Sequence, residues 1–308
     1  QGLKVQSNFR RGMFEKTLAL GSKRYENSKS LSLWDKLLDA ICERLVRNKI
    51  RERFGGRLKA LVSGGAPLNY DVGLFFTALG VRILQGYGQT EASPVISANI
   101  PSNVKLHAVG PPARGVSAKI ADDGEILVSG EMVMLGYWND PDATIATLSD
   151  DGWLHTGDIG HIDEDGHIVI TDRKKDIIVN SGGDNISPQR VEGILCLEEE
   201  IEQVMVFGDK RPYLTAVIVP DADWQKRWIK SNTADRDSAS LIEDQSFKSA
   251  IGDAVSRSNK SVPVIEKVRK FVIASHPFTV ENGQMTPTLK VRRHAVMREF
   301  REDLEGLY

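Results

Sequence analysis

One stretch of the chain constrains the fold more than any other, because two apolar runs flank a helical segment and each is followed by glycine. The runs 58–62 and 81–84 are predicted as strands, and residues 71–79 between them are predicted as a helix. A strand–helix–strand unit of this kind belongs to an open sheet with flanking helices. Because ligands bind at the carboxyl ends of such strands, the glycine-rich segments 63–67 and 85–91 mark a candidate binding edge.

Two further changes of pattern divide the rest of the chain. After Pro101, short strand-like runs alternate with Asp- and Gly-rich turns, which predicts a small β-barrel-like subdomain. From Asp172, strands alternate with helices, one of which begins at Ser187-Pro188 with an N-cap hydroxyl and a proline at the first helical position. The predicted fold class is α/β plus α+β. It comprises part of a parallel-sheet α/β subdomain (1–104), the β-subdomain (105–174) and a separate, mobile C-terminal α+β domain (175–308). Strands are predicted at 116–121, 125–129, 167–171, 177–180, 203–207, 214–219 and 269–274, and a terminal helix with Val291, Val296, Phe300 and Leu304 on one face.

Composition and charge exclude several classes of protein. With 41% hydrophobic and 27% charged residues, the chain is neither fibrous nor disordered, and it has no apolar run long enough to cross a bilayer. The two cysteines, Cys42 and Cys196, are too far apart in sequence to suggest a disulfide framework or a thiolate metal site. A net charge of −2 argues against nucleic-acid binding. We therefore expect a cytoplasmic protein, with peripheral membrane contact and a homodimer as open possibilities.

The charge is concentrated at the amino-terminal end. Residues 1–60 hold 15 Lys/Arg against 6 Asp/Glu. This segment predicts an amphipathic helix with a solvated basic face, and attraction to anionic lipid or to a phosphate-bearing substrate is the alternative. Its apolar residues at helical spacing are Leu33, Leu37, Leu38, Ile41, Leu45 and Ile50.

Four segments contain side chains suited to nucleotide chemistry. The first, 85–91, offers close backbone approach at its glycines, an aromatic face, a hydroxyl and a carboxylate for a hard cation, although it is also a plausible ordinary turn. The second, 151–158, ends in an aspartate that could accept both ribose hydroxyls, or simply form an Asx-type turn. The third, 172–183, combines a basic cluster with Ser-Gly-Gly, as an interdomain linker also would. The fourth, 284–293, presents Lys290 in a Thr/Pro-rich loop, where a lone lysine is usually solvated.

In this order, the segments resemble the adenylate-forming superfamily and look most like a long-chain fatty-acid–CoA ligase. The resemblance covers essentially the whole chain. It implies that a fatty carboxylate attacks the α-phosphorus of ATP, and that the coenzyme A thiol then attacks the acyl-adenylate. The strings that carry the resemblance are Val62–Leu68, Gly86–Glu91, Gly124–Trp138, Asp151–Gly160, Asp172–Glu192 and Thr286–Arg293.

The resemblance implies a role for each matching residue, with ATP, Mg²⁺ and coenzyme A as cofactors and a long-chain fatty acid as substrate. The implied adenine site comprises Gly64, Gly65, Ala66, Pro67, Gln85, Gly86, Tyr87 and Gly88. Thr90 would hold the α-phosphate, Glu91 would ligate Mg²⁺, and Lys290 would bridge the α-phosphate and the substrate carboxylate. Asp158 and Arg173 would hold the ribose, and Lys175 would be the hinge. Gly182 and Gly183 would approach the pantetheine arm, and Trp138 would border the acyl tunnel or lie in the core.

Two departures from the superfamily pattern limit these expectations. Nothing in residues 1–62 resembles the glycine-rich phosphate loop, so the chain looks like the C-terminal half of a ligase and is expected to be inactive alone. Leu289 stands where many relatives have glycine before the lysine. The alternatives are an aryl- or shorter-chain acid–CoA ligase and a non-catalytic AMP-binding fragment. We also expect exposed apolar surface around 58–84, because a parallel sheet needs neighbours on both sides.

Overall fold

The computed structural model describes residues 8–232 and 241–308. The chain divides into two compact units, Gln1–Thr171 and Asp172–Tyr308. This division lies close to the predicted domain boundary at residues 174/175, and the mobility of the second domain stays a prediction. The two units are described separately below.

The first unit begins with helices that pack through buried charge. Helix α1 (Asn8–Asn27) is followed by α2 (Leu33–Cys42), which continues through a π-helical turn (Glu43–Arg47) into α3 (Asn48–Arg53). Ser32 and Asp35 form a capping box at the start of α2, which satisfies its first backbone donors. The fully buried Arg47 donates to the carbonyl of Ala78 at 2.7 Å and pairs with Asp39 at 2.7 Å. These contacts join α2 to the helix that precedes the second strand.

The predicted strand–helix–strand unit is present. Strand β1 (Leu61–Ser63) and strand β2 (Ile83–Gly88) are parallel and are connected by α4 (Tyr70–Ala78), which is capped by Asn69. Of the segment 85–91, for which an ordinary turn was one alternative, residues 85–88 are part of β2, because β3 (Val95–Ala98) returns antiparallel along them. The three strands lie in the order β1-β2-β3.

The β-subdomain is a four-stranded sheet. Its strands β4 (Ser117–Ile120), β5 (Glu125–Ser129), β6 (Leu154–Ile162) and β7 (Ile168–Arg173) lie in sequence order, and β5 pairs antiparallel with β4 and β6. Helix α5 (Pro141–Thr147) precedes β6. Sequence reasoning missed β6, because its two glycines and four polar or charged residues are typical of a turn.

The second unit is a sheet covered on both faces. Strands β8 (Ile178–Val179) and β9 (Asn185–Ile186) form a hairpin before α6 (Pro188–Leu195), whose Ser187 cap accepts from the Arg190 amide as predicted. Strand β11 (Leu214–Pro220) lies between β10 (Ile201–Phe207) and β12 (Val268–Ile273). All seven residues of β11 are buried, as expected for a central strand with helices on both sides.

Each face of that sheet has its own apolar core. One core includes side chains of α6 and α8 (Gln245–Ser258), and α7 (Ala222–Asn232) adds Trp224 to it. The opposite core receives Val296, Phe300 and Leu304 from α9 (Arg293–Glu305). The predicted terminal helix is therefore confirmed, although Val291 precedes its first turn. The mixed α/β plus α+β fold class is confirmed as well.

The expected exposure of apolar side chains near the first sheet is also observed. Strand β1 lies at the edge of its sheet, and Val62 on it is 77% exposed. Phe75 on α4 is exposed too. Aggregation or dimerisation through this surface stays a prediction.

Candidate functional site

The first part of the candidate site is built on strand β2. Tyr87 pairs with Ser97 of β3, and a bulge separates this pair from the next, Gly88 with Val95. A Cβ atom at Gly88 would lie 1.7 Å from the carbonyl oxygen of Pro94, so only glycine fits there. The tight return at Pro94 follows the short helix Thr90–Ala92, which places Thr90 and Glu91 directly after the tyrosine strand.

Tyr87 and Asp158 meet in the interior of the first unit. The Tyr87 hydroxyl donates to Asp158 Oδ2 at 2.6 Å, although the two residues are 71 positions apart. Asp158 is only 3% exposed, so its carboxylate lies in a largely water-free environment. Segments 85–91 and 151–158, which are distant in sequence, are therefore in direct contact in the fold.

The local structure around Asp158 fixes the position of its backbone. The Asp158 amide donates to the hydroxyl of Thr156, which itself donates to the carbonyl of Ile126 at 2.7 Å. Buried Glu125 accepts from the Gly157 amide at 2.8 Å and lies 3.2 Å from Nδ1 of His155. Sequence reasoning missed Glu125, because a buried glutamate at the first position of an apolar strand gives no pattern of its own.

Glu91 has a partner that the sequence did not indicate. Its Oε1 accepts from the Tyr137 hydroxyl at 2.8 Å, and its carbonyl accepts from the Met134 amide at 2.8 Å. The hydrogen bond to Glu91 raises the pKa of Tyr137, with burial and the carboxylate charge acting in the same direction. Segment 134–137 thus holds Glu91 in place through these two hydrogen bonds. The other carboxylate oxygen of Glu91 takes no part in the bond from Tyr137.

The donor set at Thr90 and Glu91 fits a magnesium ion bound together with a nucleotide. Mg²⁺ prefers oxygen ligands and usually takes one or two carboxylates, with water and phosphate completing its shell. Glu91 provides a carboxylate at a partly exposed position, and Thr90 provides an exposed hydroxyl next to it. Within the described ranges, no cluster of three or more His, Cys, Asp or Glu side chains forms a self-sufficient metal site.

The other predicted adenine-site residues lie around β1 and β2. Gly64, Gly65, Ala66 and Pro67 are exposed and directly follow β1, whose last residue pairs with Gln85. The buried Gln85 amide nitrogen donates to the carbonyl of Leu106 at 2.6 Å. This bond uses one of its two amide hydrogens, and a contact between Gln85 and adenine stays a prediction.

Trp138 is 90% exposed, so of the two alternatives for this residue the core position is wrong. It follows Gly136 and Tyr137. The side chain of Thr144 lies against Gly136, and its hydroxyl accepts from the Tyr137 amide. That contact fixes the local chain with Trp138 directed to the surface. A role beside the acyl tunnel stays a prediction.

Arg173 and Lys175, predicted for the ribose and the hinge, lie at the start of the second unit. Both are exposed, and the Arg173 amide donates to Asp172 Oδ1 at 2.6 Å. Burial raises the pKa of the Asp172 carboxyl. The segment is therefore anchored by a buried aspartate, while the basic side chains that follow point to the surface.

Gly182 and Gly183 form the turn between β8 and β9. Asn180 Oδ1 accepts from the amides of Gly182 and Asp184, each at 2.9 Å. Gly183 has a φ of +85°, a conformation that side-chain-bearing residues rarely adopt. The turn is exposed and could approach a ligand closely, and its contact with coenzyme A stays a prediction.

Lys290 lies in a closed loop before α9. The Thr286 amide donates to the Lys290 carbonyl at 2.8 Å, and the Lys290 amide donates back to the Thr286 hydroxyl at 3.1 Å. Leu289 has a φ of +60° and is 70% exposed. Such a left-handed conformation favours glycine over residues that carry a side chain. The loop presents an exposed lysine, as a group that acts on a ligand would require.

Two family models match this chain. A model described as AMP-binding enzyme matches residues 30–138, and one described as AMP-binding enzyme C-terminal domain matches residues 175–308. The chain belongs to the AMP-binding enzyme family. The first match contains Tyr87, Thr90 and Glu91, and the second contains Lys290.

Curated relatives of this chain include fatty-acid–CoA ligases. It is 41% identical over 271 residues to the long-chain-fatty-acid–CoA ligase FadD15 of Mycobacterium bovis, covering 87% of this chain and 45% of that protein. It is 34% identical over 285 residues to human long-chain-fatty-acid–CoA ligase 6, covering 88% of this chain and 41% of the relative. The chain therefore spans somewhat less than half the length of these relatives.

A solved structure supports the fold of this chain. The adenylation domain of a carboxylate reductase from Mycobacterium chelonae superposes with a TM-score of 0.70 at 25% identity. The match covers 96% of this chain and 45% of that one. None of the described helices is both long and apolar enough to cross a membrane.

Proposed function

We propose that this chain is the carboxyl-terminal portion of a long-chain fatty-acid–CoA ligase. The whole protein would convert a fatty acid to acyl-AMP with ATP, releasing pyrophosphate, and then form acyl-CoA with release of AMP. The observation that carries the proposal is the 2.6 Å hydrogen bond between Tyr87 and Asp158. It joins the aromatic and the acidic segments to which the proposal assigns nucleoside binding.

The proposed nucleotide site uses these residues in distinct ways. The ring of Tyr87 would contact the purine, and its hydroxyl donates to Asp158. Asp158 would accept the ribose hydroxyls through its carboxylate oxygens. Thr90 would donate to the α-phosphate, and the exposed backbone after β1 would border the adenine.

Charge neutralisation is the main requirement of the first half-reaction, because negative charge develops on the α-phosphate and on the leaving pyrophosphate. Lys290 would supply a positive charge between the α-phosphate and the fatty carboxylate. Glu91 would hold Mg²⁺, which supplies charge neutralisation at the phosphates when it is bound. Gly182 and Gly183 would admit the pantetheine arm in the second half-reaction.

The proposal is tested with the natural gene product that contains this chain. We expect ATP–pyrophosphate exchange that depends on a long-chain fatty acid. Lys290→Ala should lower exchange by about 10²–10³-fold, the usual loss for one group that stabilises transition-state charge, and should retain thiolysis of supplied acyl-adenylate. Arg292→Ala, which changes an exposed basic residue of the same loop, is the matched control and should retain both half-reactions.

Three results would contradict the proposal. Absence of exchange with every long-chain acid would refute the long-chain ligase assignment. Exchange with only aryl or short-chain acids would favour the alternative ligases. Equal loss of both half-reactions in Lys290→Ala would show that the lysine does not act selectively in adenylation.

A further inference from the structure

Several large apolar side chains of helix α2 are exposed, whereas Leu38 is half-buried and Cys42 is buried. Leu33 is 84% exposed, Trp34 75%, Leu37 54%, Ile41 41% and, in the following π-helical turn, Leu45 44%. We call these five residues the α2 face. At 1.5 Å per residue it extends over roughly 18 Å of helix. An ordinary surface helix would place such residues against the core.

The acidic side chains of the same helix point the other way. Asp35 pairs with Lys23 at 2.8 Å, and Asp39 pairs with Arg24 at 3.0 Å and with buried Arg47 at 2.7 Å. The inner side of the helix therefore combines these ion pairs with the buried Cys42 and the half-buried Leu38. The carboxylates of Asp35 and Asp39 are therefore paired on the inner side of α2, and neither belongs to the α2 face.

Basic side chains border the α2 face. Lys36 lies three residues from Leu33, and Arg44 lies three residues from Ile41, which are neighbouring positions on a helix surface. Lys29 and Lys49 are exposed near the two ends of the face. Among the described residues, none of these four side chains forms an ion pair in the structure. The surface thus combines apolar residues, a tryptophan and unpaired positive charge.

We propose that the α2 face docks on an anionic phospholipid bilayer, with the helix lying in the plane of the interface. Leucine and isoleucine side chains would enter the acyl boundary, Trp34 would lie at the headgroup level, and Lys36 and Arg44 would face lipid phosphates and carboxylates. The charge pattern selects this partner, because a second copy of the same surface would bring like charges together. The proposal does not depend on ligase activity.

The test measures binding of the natural gene product to sedimented vesicles of phosphatidylcholine containing 30% phosphatidylserine. Wild-type protein should bind these vesicles, bind pure phosphatidylcholine more weakly, and lose affinity as salt screens the lipid charge. Leu37→Glu should lower the partition coefficient about tenfold or more, because it removes one apolar side chain that docking would bury in the bilayer. Arg44→Ala should lower it about fivefold, the equivalent of one basic residue near the surface.

Matched control variants distinguish vesicle binding by the α2 face from nonspecific adsorption. Val264→Glu changes another exposed aliphatic residue, and Arg298→Ala another exposed arginine; both should bind like wild type. Circular dichroism checks that each variant is folded. Vesicles that contain brominated lipid should quench the tryptophan fluorescence of the wild-type protein. This quenching should be lost in Trp34→Phe.

The proposal is overturned if wild-type protein does not bind the anionic vesicles, or if Leu37→Glu and Val264→Glu bind equally. A loss of self-association in Leu37→Glu without any change in vesicle binding would assign the face to a second copy. Binding by the 308-residue chain but not by a longer natural product would show that other parts of that protein cover the face. Because the assay contains no ATP, its failure is distinct from failure of the proposed reaction.

Discussion

Replacing Tyr87 by phenylalanine removes one hydroxyl and leaves the aromatic ring in place. The lost hydrogen bond is 2.6 Å long and joins a buried tyrosine to a carboxylate that is only 3% exposed. Hydrogen bonds to charged groups contribute about 1.5–3 kcal/mol, more than neutral ones. We therefore expect Tyr87→Phe to lower the free energy of unfolding of the first unit by about 2 kcal/mol. The corresponding change in melting temperature is roughly 4–8 °C for a unit of this size.

The chain contains a natural control for this prediction. Tyr137 makes the same type of bond to Glu91 at 2.8 Å, but it lies at the surface. Surface substitutions usually change stability by no more than about 0.5 kcal/mol, so Tyr137→Phe should be close to neutral. The two variants have the same chemistry and differ in burial.

The assay is urea denaturation followed by circular dichroism, with a double-mutant cycle between Tyr87→Phe and Asp158→Asn. We expect a coupling energy of about 1–3 kcal/mol, which is typical of residues in direct contact. A coupling near zero, or equal effects of Tyr87→Phe and Tyr137→Phe, would refute the reasoning that burial strengthens the Tyr87–Asp158 bond.

Three further predictions concern stability. Arg47→Met should lower the free energy of unfolding by about 3 kcal/mol in urea titrations, because it leaves Asp39 without its buried partner; a neutral result would contradict the role given to this ion pair. Lys105 holds the pKa of Asp163 at about 2, below its ordinary value of 3.8. This pair therefore stabilises the fold above about pH 4 and loses its effect as the pH falls toward about 2, so the stability difference between wild type and Lys105→Met should shrink over that range. Leu289→Gly should stabilise the second unit by about 0.5–1 kcal/mol in thermal melts, because it relieves a left-handed backbone conformation; a clear loss of stability would show that the leucine side chain packs favourably.

The sequence predicts those parts of the fold that depend on local pattern. The strand–helix–strand unit around α4, the cap at Ser187 and the apolar face of α9 are all readable from neighbouring residues. Strand β6 is not, because its glycines and polar residues are those of a turn, and only pairing with β5 makes it a strand. The orientation of α2 was missed for a related reason. Helical spacing shows which residues share a face, but a buried arginine on another turn decides which face turns inward.

The candidate site was predictable in part. The resemblance to adenylate-forming enzymes singled out Tyr87 and Asp158, and their hydrogen bond is consistent with a shared site. The supporting contacts were not predictable. Glu125 accepts from the Gly157 amide and Tyr137 donates to Glu91, and both bonds join strands or loops that are distant in sequence. No local sequence pattern distinguishes Glu125 and Tyr137 from other polar residues.

The central claim is that an adenine nucleotide binds against Tyr87 and Asp158. The most direct test is photolabelling with 8-azidoadenosine 5′-monophosphate, followed by mass mapping of tryptic peptides. We expect the label in the peptide 83–105, which contains Tyr87, with protection by AMP and loss of labelling in Asp158→Ala. Labelling that is confined to other peptides, or that persists unchanged in Asp158→Ala, would contradict the assignment.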